Sequence, residues 1–271
     1  MAHHVDIRCC ALTDRGMVRE QNEDAVAVWP HSGAAILADG MGGYSAGEVA
    51  SSMAVEVCTE VLQQGLESFD WDRTDRASAL TTLLHTAAHA ANQAILTASL
   101  SEPRQAGMGT TLVLALLHHD RIVVAHVGDS RLYRLRDDSL GQLTRDHSHV
   151  QDLVDAGLLS PEQARVAPNR NLVTRAVGIA ALIQVDLQEF GTRAGDLYLL
   201  CSDGLSDMID DDEIRLVLQT PGQSLERAAT SLVDRANAVG GVDNISVILI
   251  SVDSIGAGSD GILGRVLDWV S

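Results

Sequence analysis

The chain has 271 residues, 46% hydrophobic and 21% charged, enough to bury a core within one domain. Its 37 acidic and 19 basic groups give a formal charge of -18, which argues against a nucleic-acid partner, whose phosphates need a positive surface. No apolar stretch approaches the roughly 18 residues of a membrane span, no secretion leader is evident, and Cys9, Cys10, Cys58 and Cys201 lack metal or disulfide spacing, so a soluble cytoplasmic protein is expected.

Short apolar runs at Ile7 to Leu12, Ala25 to Trp29 and Ala34 to Ala38, broken by polar or glycine-bearing turns, predict three strands. Val49, Met53, Val57 and Val61 recur every fourth residue between Ala46 and Leu66, and Leu80 to Ile95 repeats that spacing, predicting two long helices. Thr111 to Leu117, Ile122 to Val127 and Leu132 to Leu135 are too short for helices and predict a meander of strands. Thr144 to Ala181 is more polar, with one helical stretch near Val150 to Gly157 and Pro161 and Pro168 as breakers. Strands return at Gln184 to Phe190 and Leu197 to Cys201, then helices at Asp211 to Leu218 and Ser224 to Ala238, then a strand at Ile245 to Val252. Two stacked sheets, each with a helix pair outside it, satisfy this order. A Gly- and Ser-rich linker opens the stretch from Ser254, and Ile262, Leu263, Val266, Leu267 and Val270 then form one apolar helical stripe.

The chemistry is carried by aspartates at strand ends. Asp39 ends an apolar run and opens DGMGG, Asp129 lies in GDSR, Asp203 in SDG, Asp243 in DN, and Glu23 with Asp24 closes RxxNED. Any one Asp-Gly after a strand is an ordinary turn; several such ends delivering carboxylates point to a divalent cation site. All-oxygen ligands suit magnesium or manganese rather than zinc or copper. Two such ions can activate a bridging hydroxide for direct attack on phosphorus. No nucleophile elbow or other covalent-nucleophile signature is present. The Arg19 fork suits a phosphate monoester, although a salt bridge to Glu23 or Asp24 is the plainer role. His85 and His89 share a helix face without the glutamate of a zincin, and read as a packed or partly exposed pair.

RxxNED at Arg19 to Asp24, DGMGG at Asp39 to Gly43, GTT at Gly109 to Thr111, VGDSR at Val127 to Arg131, TRDHS at Thr144 to Ser148, SDGL at Ser202 to Leu205 and DN at Asp243 resemble, in order, the PPM (PP2C-type) metal-dependent protein Ser/Thr phosphatases, in a compact bacterial form. The resemblance covers about residues 6 to 252. It implies an α+β fold, a four-layer αββα sandwich of two mainly antiparallel sheets flanked by helix pairs, as a domain over 1–253 with a flap at about 146–182 and a tail at 254–271. It also implies two Mn2+ or Mg2+ ions and a weaker third position, with Asp39 bridging, the Gly40 carbonyl and the Asp203 and Asp243 carboxylates as ligands, Asp129 at the third position, Glu23 and Asp24 holding metal-bound waters, and Arg19 holding the phosphate. Where related chains from eukaryotes carry DGHGG, this one has Met41, which cannot donate a proton; His147 or a metal-bound water is the candidate general acid. The implied function is hydrolysis of phosphoserine and phosphothreonine in proteins without a phosphoenzyme, opposing a Ser/Thr kinase, by an expected monomer. A catalytically silent phosphoprotein-binding module and a two-metal phosphodiesterase are the competing expectations.

Overall fold

The computed structural model describes residues 5–43, 45–71 and 73–255. The predicted stripe from Ile262 to Val270 lies outside them. One antiparallel sheet is ordered β1 (Val5–Asp14), β11 (Ile245–Ile255), β10 (Leu197–Cys201), β7 (Arg131–Arg136), β8 (Ser139–Gln142). The other is ordered β2 (Asp24–Trp29), β3 (Ala34–Met41), β5 (Leu112–His118), β6 (Arg121–Val127), β9 (Asp186–Gly191), with the two-residue β4 (Gly109–Thr110) paired to the end of β3.

Helices α1 (Ala46–Glu67) and α2 (Arg76–Ser101) cover the outer face of the β2–β9 sheet, while α6 (Asp211–Leu218) and α7 (Leu225–Ala238) cover that of the β1–β8 sheet. Strand alternation divides the core accordingly. In β3, Ala34, Ile36 and Ala38 pack under the helices, whereas Ala35 and Leu37 meet Tyr198, Leu200 and Ile248 of the facing sheet. Because both faces of β3 and β5 are covered, these strands read as continuous apolar runs rather than alternating ones. The four expected layers are present.

Two local expectations are corrected. The buried stripe of α1 is Ala50, Ala54, Cys58 and Leu62, one residue on from the valine stripe, whose members are only half-buried at its side. Small residues at the centre let the helix lie close to the sheet, and the valines fill its flank. In the flap, Pro161 starts a helix instead of breaking one. After α3 (His149–Asp155) and the single helical turn α5 (Asp203–Ser206) are counted, α4 (Pro161–Arg165) completes the set, with Pro161 in its first turn and Ser160 and Gln163 forming a capping box. Proline is tolerated there because the first helical N–H groups lack partners in any case.

Candidate metal centre and active site

Val26 of β2 and Leu37 of β3 face the space between the sheets, and residues two apart on a strand share a face, so Asp24 and Asp39 turn into that same space. The two residues are direct partners across β2 and β3. From the other sheet, β10 runs into α5, whose first residue is Asp203, while Asp243 stands just ahead of β11 and Asp129 lies in the turn from β6 to β7. Both sheets thereby feed one cleft of about 240 Å³, lined by Arg19, Glu23, Asp39, Gly40, Met41, Thr111, Asp129, Asp203 and Asp243, with Asn171 and Val173 of the flap above. Asp24 lies beneath it, where its Oδ2 accepts a 2.9 Å hydrogen bond from the Ser202 hydroxyl.

The backbone around Asp39 is held hard. Its N–H donates to Thr111 Oγ1 at 3.0 Å, and its carbonyl accepts from the Thr110 hydroxyl and the Thr111 N–H, both at 2.8 Å. This accounts for the GTT segment. Gly40 has no room for a side chain, since a Cβ would lie 2.1 Å from the Gly47 carbonyl oxygen. Asn244, buried beside Asp243, accepts from the Glu23 N–H at 2.8 Å and donates to the Arg15 and Gln21 carbonyls, each at 2.9 Å. It therefore ties the loop carrying Arg19 and Glu23 to the β11 end, a role the DN motif hinted at only by its second letter.

Electrostatics explain what this cleft lacks on its own. Burial, followed by Asp24, Asp203, Asp129 and Asp243, pushes the Asp39 carboxyl well above the ordinary range. Burial, followed by Asp129 and Asp207, does the same to Asp203. Asp24 is raised to about 6, chiefly by burial, and Asp129 to about 7 by burial and then by Asp146. Carboxylates crowded like this keep their charge only when cations share the site. Two buried oxygens, Glu23 Oε1 and Asp24 Oδ1, have no hydrogen-bond partner among the described residues, which fits groups that orient water around an ion. Among the described residues no group of three His, Cys, Asp or Glu side chains is close enough together to hold a metal ion by itself. The donor set is all oxygen and suits hard divalent cations.

Arg19 pairs with neither Glu23 nor Asp24. Its Nη2 lies 2.6 Å from Asp243 Oδ2, leaving the half-exposed guanidinium at the cleft rim with donors to spare. Glu23 sits against the N-terminal backbone of α1 at Gly47 and Glu48, where Ser45 provides no side-chain cap, so it also serves that helix end.

His147 is 1% exposed and does not line the cleft. Its Nδ1 accepts the Gly128 N–H at 3.0 Å, which puts the ring proton on Nε2, 3.2 Å from Asp186 Oδ2. Burial lowers its pKa further, so the ring is a neutral strut between the flap and the turn leading to Asp129. The remaining predicted residues, Arg19, Glu23, Asp39, Gly40, Asp129, Asp203 and Asp243, share the cleft. Asn171 and Val173 were not anticipated; a polar flap carries no spacing signal for which residue will hang over the site. A cavity of about 260 Å³ lined by His31, Trp71 and His118 lies at the opposite end of β3 and β5 and contains none of these residues.

The family model described as "Protein phosphatase 2C" matches residues 17–240. The chain belongs to the protein phosphatase 2C family. It is 40% identical over 248 residues to the serine/threonine protein phosphatase PstP of Mycobacterium tuberculosis, covering 91% of this chain and 45% of that protein, so it spans under half the length of that relative. It is 38% identical over 254 residues to the serine/threonine phosphatase stp of Listeria monocytogenes, covering 92% and 97%. The crystal structure of the M. tuberculosis PstP/Ppp phosphatase superposes with a TM-score of 0.82 at 40% identity, covering 91% of this chain and 99% of that one. The PstP catalytic domain in complex with two manganese ions gives 0.78 at 38% identity, covering 92% and 99%. The protein phosphatase 2C fold thus accounts for both sheets, both helix pairs and the flap. Among the described residues no helix is long and apolar enough to cross a membrane.

Proposed function

We propose that the protein is a metal-dependent phosphatase that hydrolyses phosphoserine and phosphothreonine in proteins, working against a Ser/Thr kinase. The observation that carries this reading is the convergence of Asp39, Asp203, Asp243 and Asp129 from two sheets on one cleft with Arg19 at its rim. Asp39, the Gly40 carbonyl, Asp203 and Asp243 would hold two manganese or magnesium ions, Asp129 with Asp203 a weaker third, and Glu23 and Asp24 the water around them. When bound, such ions supply a water activated for attack at neutral pH and offset the charge on the phosphoryl oxygens. Arg19 orients the phosphate through its planar fork. With a single bond to Asp243, the half-exposed guanidinium keeps donors for an incoming phosphate. The cleft is lined by no Ser, Cys or His, its Thr111 hydroxyl is already engaged by the Asp39 N–H and Ser130 Oγ, and its aspartates are the ligands assigned above, which supports direct hydrolysis.

The departing serine or threonine oxygen needs a proton. Met41 carries none, and His147 is walled off behind the Gly128 turn with both ring nitrogens engaged. We therefore assign the proton to water in the cleft.

The test uses the purified chain with a phosphothreonine peptide and with a phosphodiester, each in manganese or EDTA. Manganese-dependent phosphate release from the peptide alone is expected, and Asp39→Ala or Asp243→Ala should lower it by at least about a thousandfold, as removal of a metal ligand requires. Binding of the phosphopeptide without turnover would instead mark a silent binding module, and turnover of the diester a phosphodiesterase.

A further inference from the structure

α2 buries a stripe of Leu84, Ala88, Ala91 and Ile95, and Asn92 interrupts it as a polar residue with 0% exposure. Its amide is used at both ends. Oδ1 accepts the Gly178 N–H at 2.7 Å, and Nδ2 donates to the Ala180 carbonyl at 2.9 Å. Both partners are backbone groups of the segment by which the flap rejoins the body. A buried amide with one acceptor and one donor committed to the same short segment fixes its position and its direction together.

That segment is joined to the metal centre. Val177 and Thr110 exchange both backbone hydrogen bonds, at 2.8 and 3.0 Å. Thr110 is the strand partner of Gly40 and gives its hydroxyl proton to the Asp39 carbonyl at 2.8 Å. The order across this ribbon is therefore α2, flap return, β4, then the end of β3 that carries Asp39. Val173 and Asn171, a few residues up the same flap segment, line the cleft.

We propose that Asn92 is a positioning residue for the reaction: by clamping Gly178 and Ala180 it sets the flap return against β4, and so seats Asn171 and Val173 over the cleft. It rests on the phosphatase reading above. Asn92 itself touches neither phosphate nor ion, and acts only through the backbone it holds. An apolar residue of the same size would leave the buried Gly178 N–H without a partner, whereas the carbonyl of the exposed Ala180 could turn to water. The neighbouring Gln93, whose Nε2 donates to the Ala181 carbonyl at 3.0 Å from an exposed position, provides the control, since water can replace that bond.

The experiment compares wild type, Asn92→Ala, Asn92→Asp and Gln93→Ala with manganese, on a phosphothreonine peptide and on p-nitrophenyl phosphate, and measures amide exchange over residues 174–181. Asn92→Ala should raise KM for the peptide about tenfold while leaving KM for the small ester within about twofold, because only the peptide extends under the flap. Exchange at Val177 and Gly178 should accelerate at least about tenfold. Asn92→Asp retains an acceptor for Gly178 and should fall between, and Gln93→Ala should match wild type. Unchanged peptide KM with unchanged exchange overturns the proposal, as does a parallel rise in KM for both substrates, which marks general loosening. Should Asn92→Ala fail to fold, Asn92→Asp carries the same comparison. A wild type that hydrolyses neither substrate defeats the phosphatase reading, and exchange alone then decides whether Asn92 holds the flap.

Discussion

Replacing His147 by asparagine separates two roles that a histidine combines. Asparagine Oδ1 stands where Nδ1 stood and can still accept the Gly128 N–H, but the side chain cannot act as a general acid. We expect His147→Asn to keep kcat within about threefold of wild type with an unshifted pH profile, and His147→Ala to lose about tenfold by leaving a buried N–H unpaired, a penalty of about 1–3 kcal/mol. Equal, large losses in both variants together with loss of the alkaline limb of the profile would restore His147 as the acid. The histidine was visible in the sequence, in the TRDHS segment; what could not be read there was burial. Whether a loop residue points into a cleft or behind its wall depends on contacts between segments far apart in the chain, here Gly128, Arg175 and Asp186. Asp39 was legible for the opposite reason. It ends an apolar run and opens a glycine turn, which marks a strand end in the sequence, while the face it takes is set by the packing of the two sheets.

At the scale of elements, the close approach of α5 to the β11 end governs the site more than either element does by itself. A Cβ on Gly204 would lie 2.0 Å from the Asn244 carbonyl oxygen, with the Asp243 Cβ close behind. Gly204→Ala must therefore push Asp203 and Asp243 apart. We expect it to lower the melting temperature and to raise the manganese concentration for half-maximal activity by about tenfold or more, since a ligand displaced by a fraction of an ångström loses its geometry. Normal manganese dependence in a folded Gly204→Ala protein would contradict this account. The main helices and strands were readable because each buries a periodic face. The small ones, β4, β8, α4 and α5, were not, because two to five residues give too short a window for a period and are fixed by tertiary pairing. Yet β4 carries the GTT hydroxyls that grip Asp39.

Over the whole molecule, buried histidines and buried carboxyls act on the acid side of stability in opposite directions. Burial drives the His126 pKa down to about 4, and the ring is 2% exposed against the Ser130 carbonyl. The unfolded chain takes up a proton there near pH 6.5 and the folded chain only near 4, so the stability His126 contributes is complete above about 6.5 and is lost as pH falls toward 4, by on the order of 3 kcal/mol at most. His118, likewise lowered to about 4, acts in the same direction. The raised carboxyls of Asp24 and Asp129 act in the opposite sense, gaining stability as they protonate. Thermal unfolding of His126→Gln against wild type between pH 7 and 4.5 isolates the first effect. The difference between the two proteins should change by at least about 1 kcal/mol over that range, and parallel curves would refute the assignment.

Asp39 comes from one sheet, and Asp203 and Asp243 from the approach to the other, so on the proposed assignment neither sheet would own a complete ligand set. An ion that needs all of them binds only where the two sheets meet. Its affinity and the cohesion between the sheets are then one free energy counted from two ends, about 2.7 kcal/mol for an ion at 100 times its Kd. The cation would serve as a rivet through the middle of the sandwich, set by the same carboxylates whose repulsion works to open it.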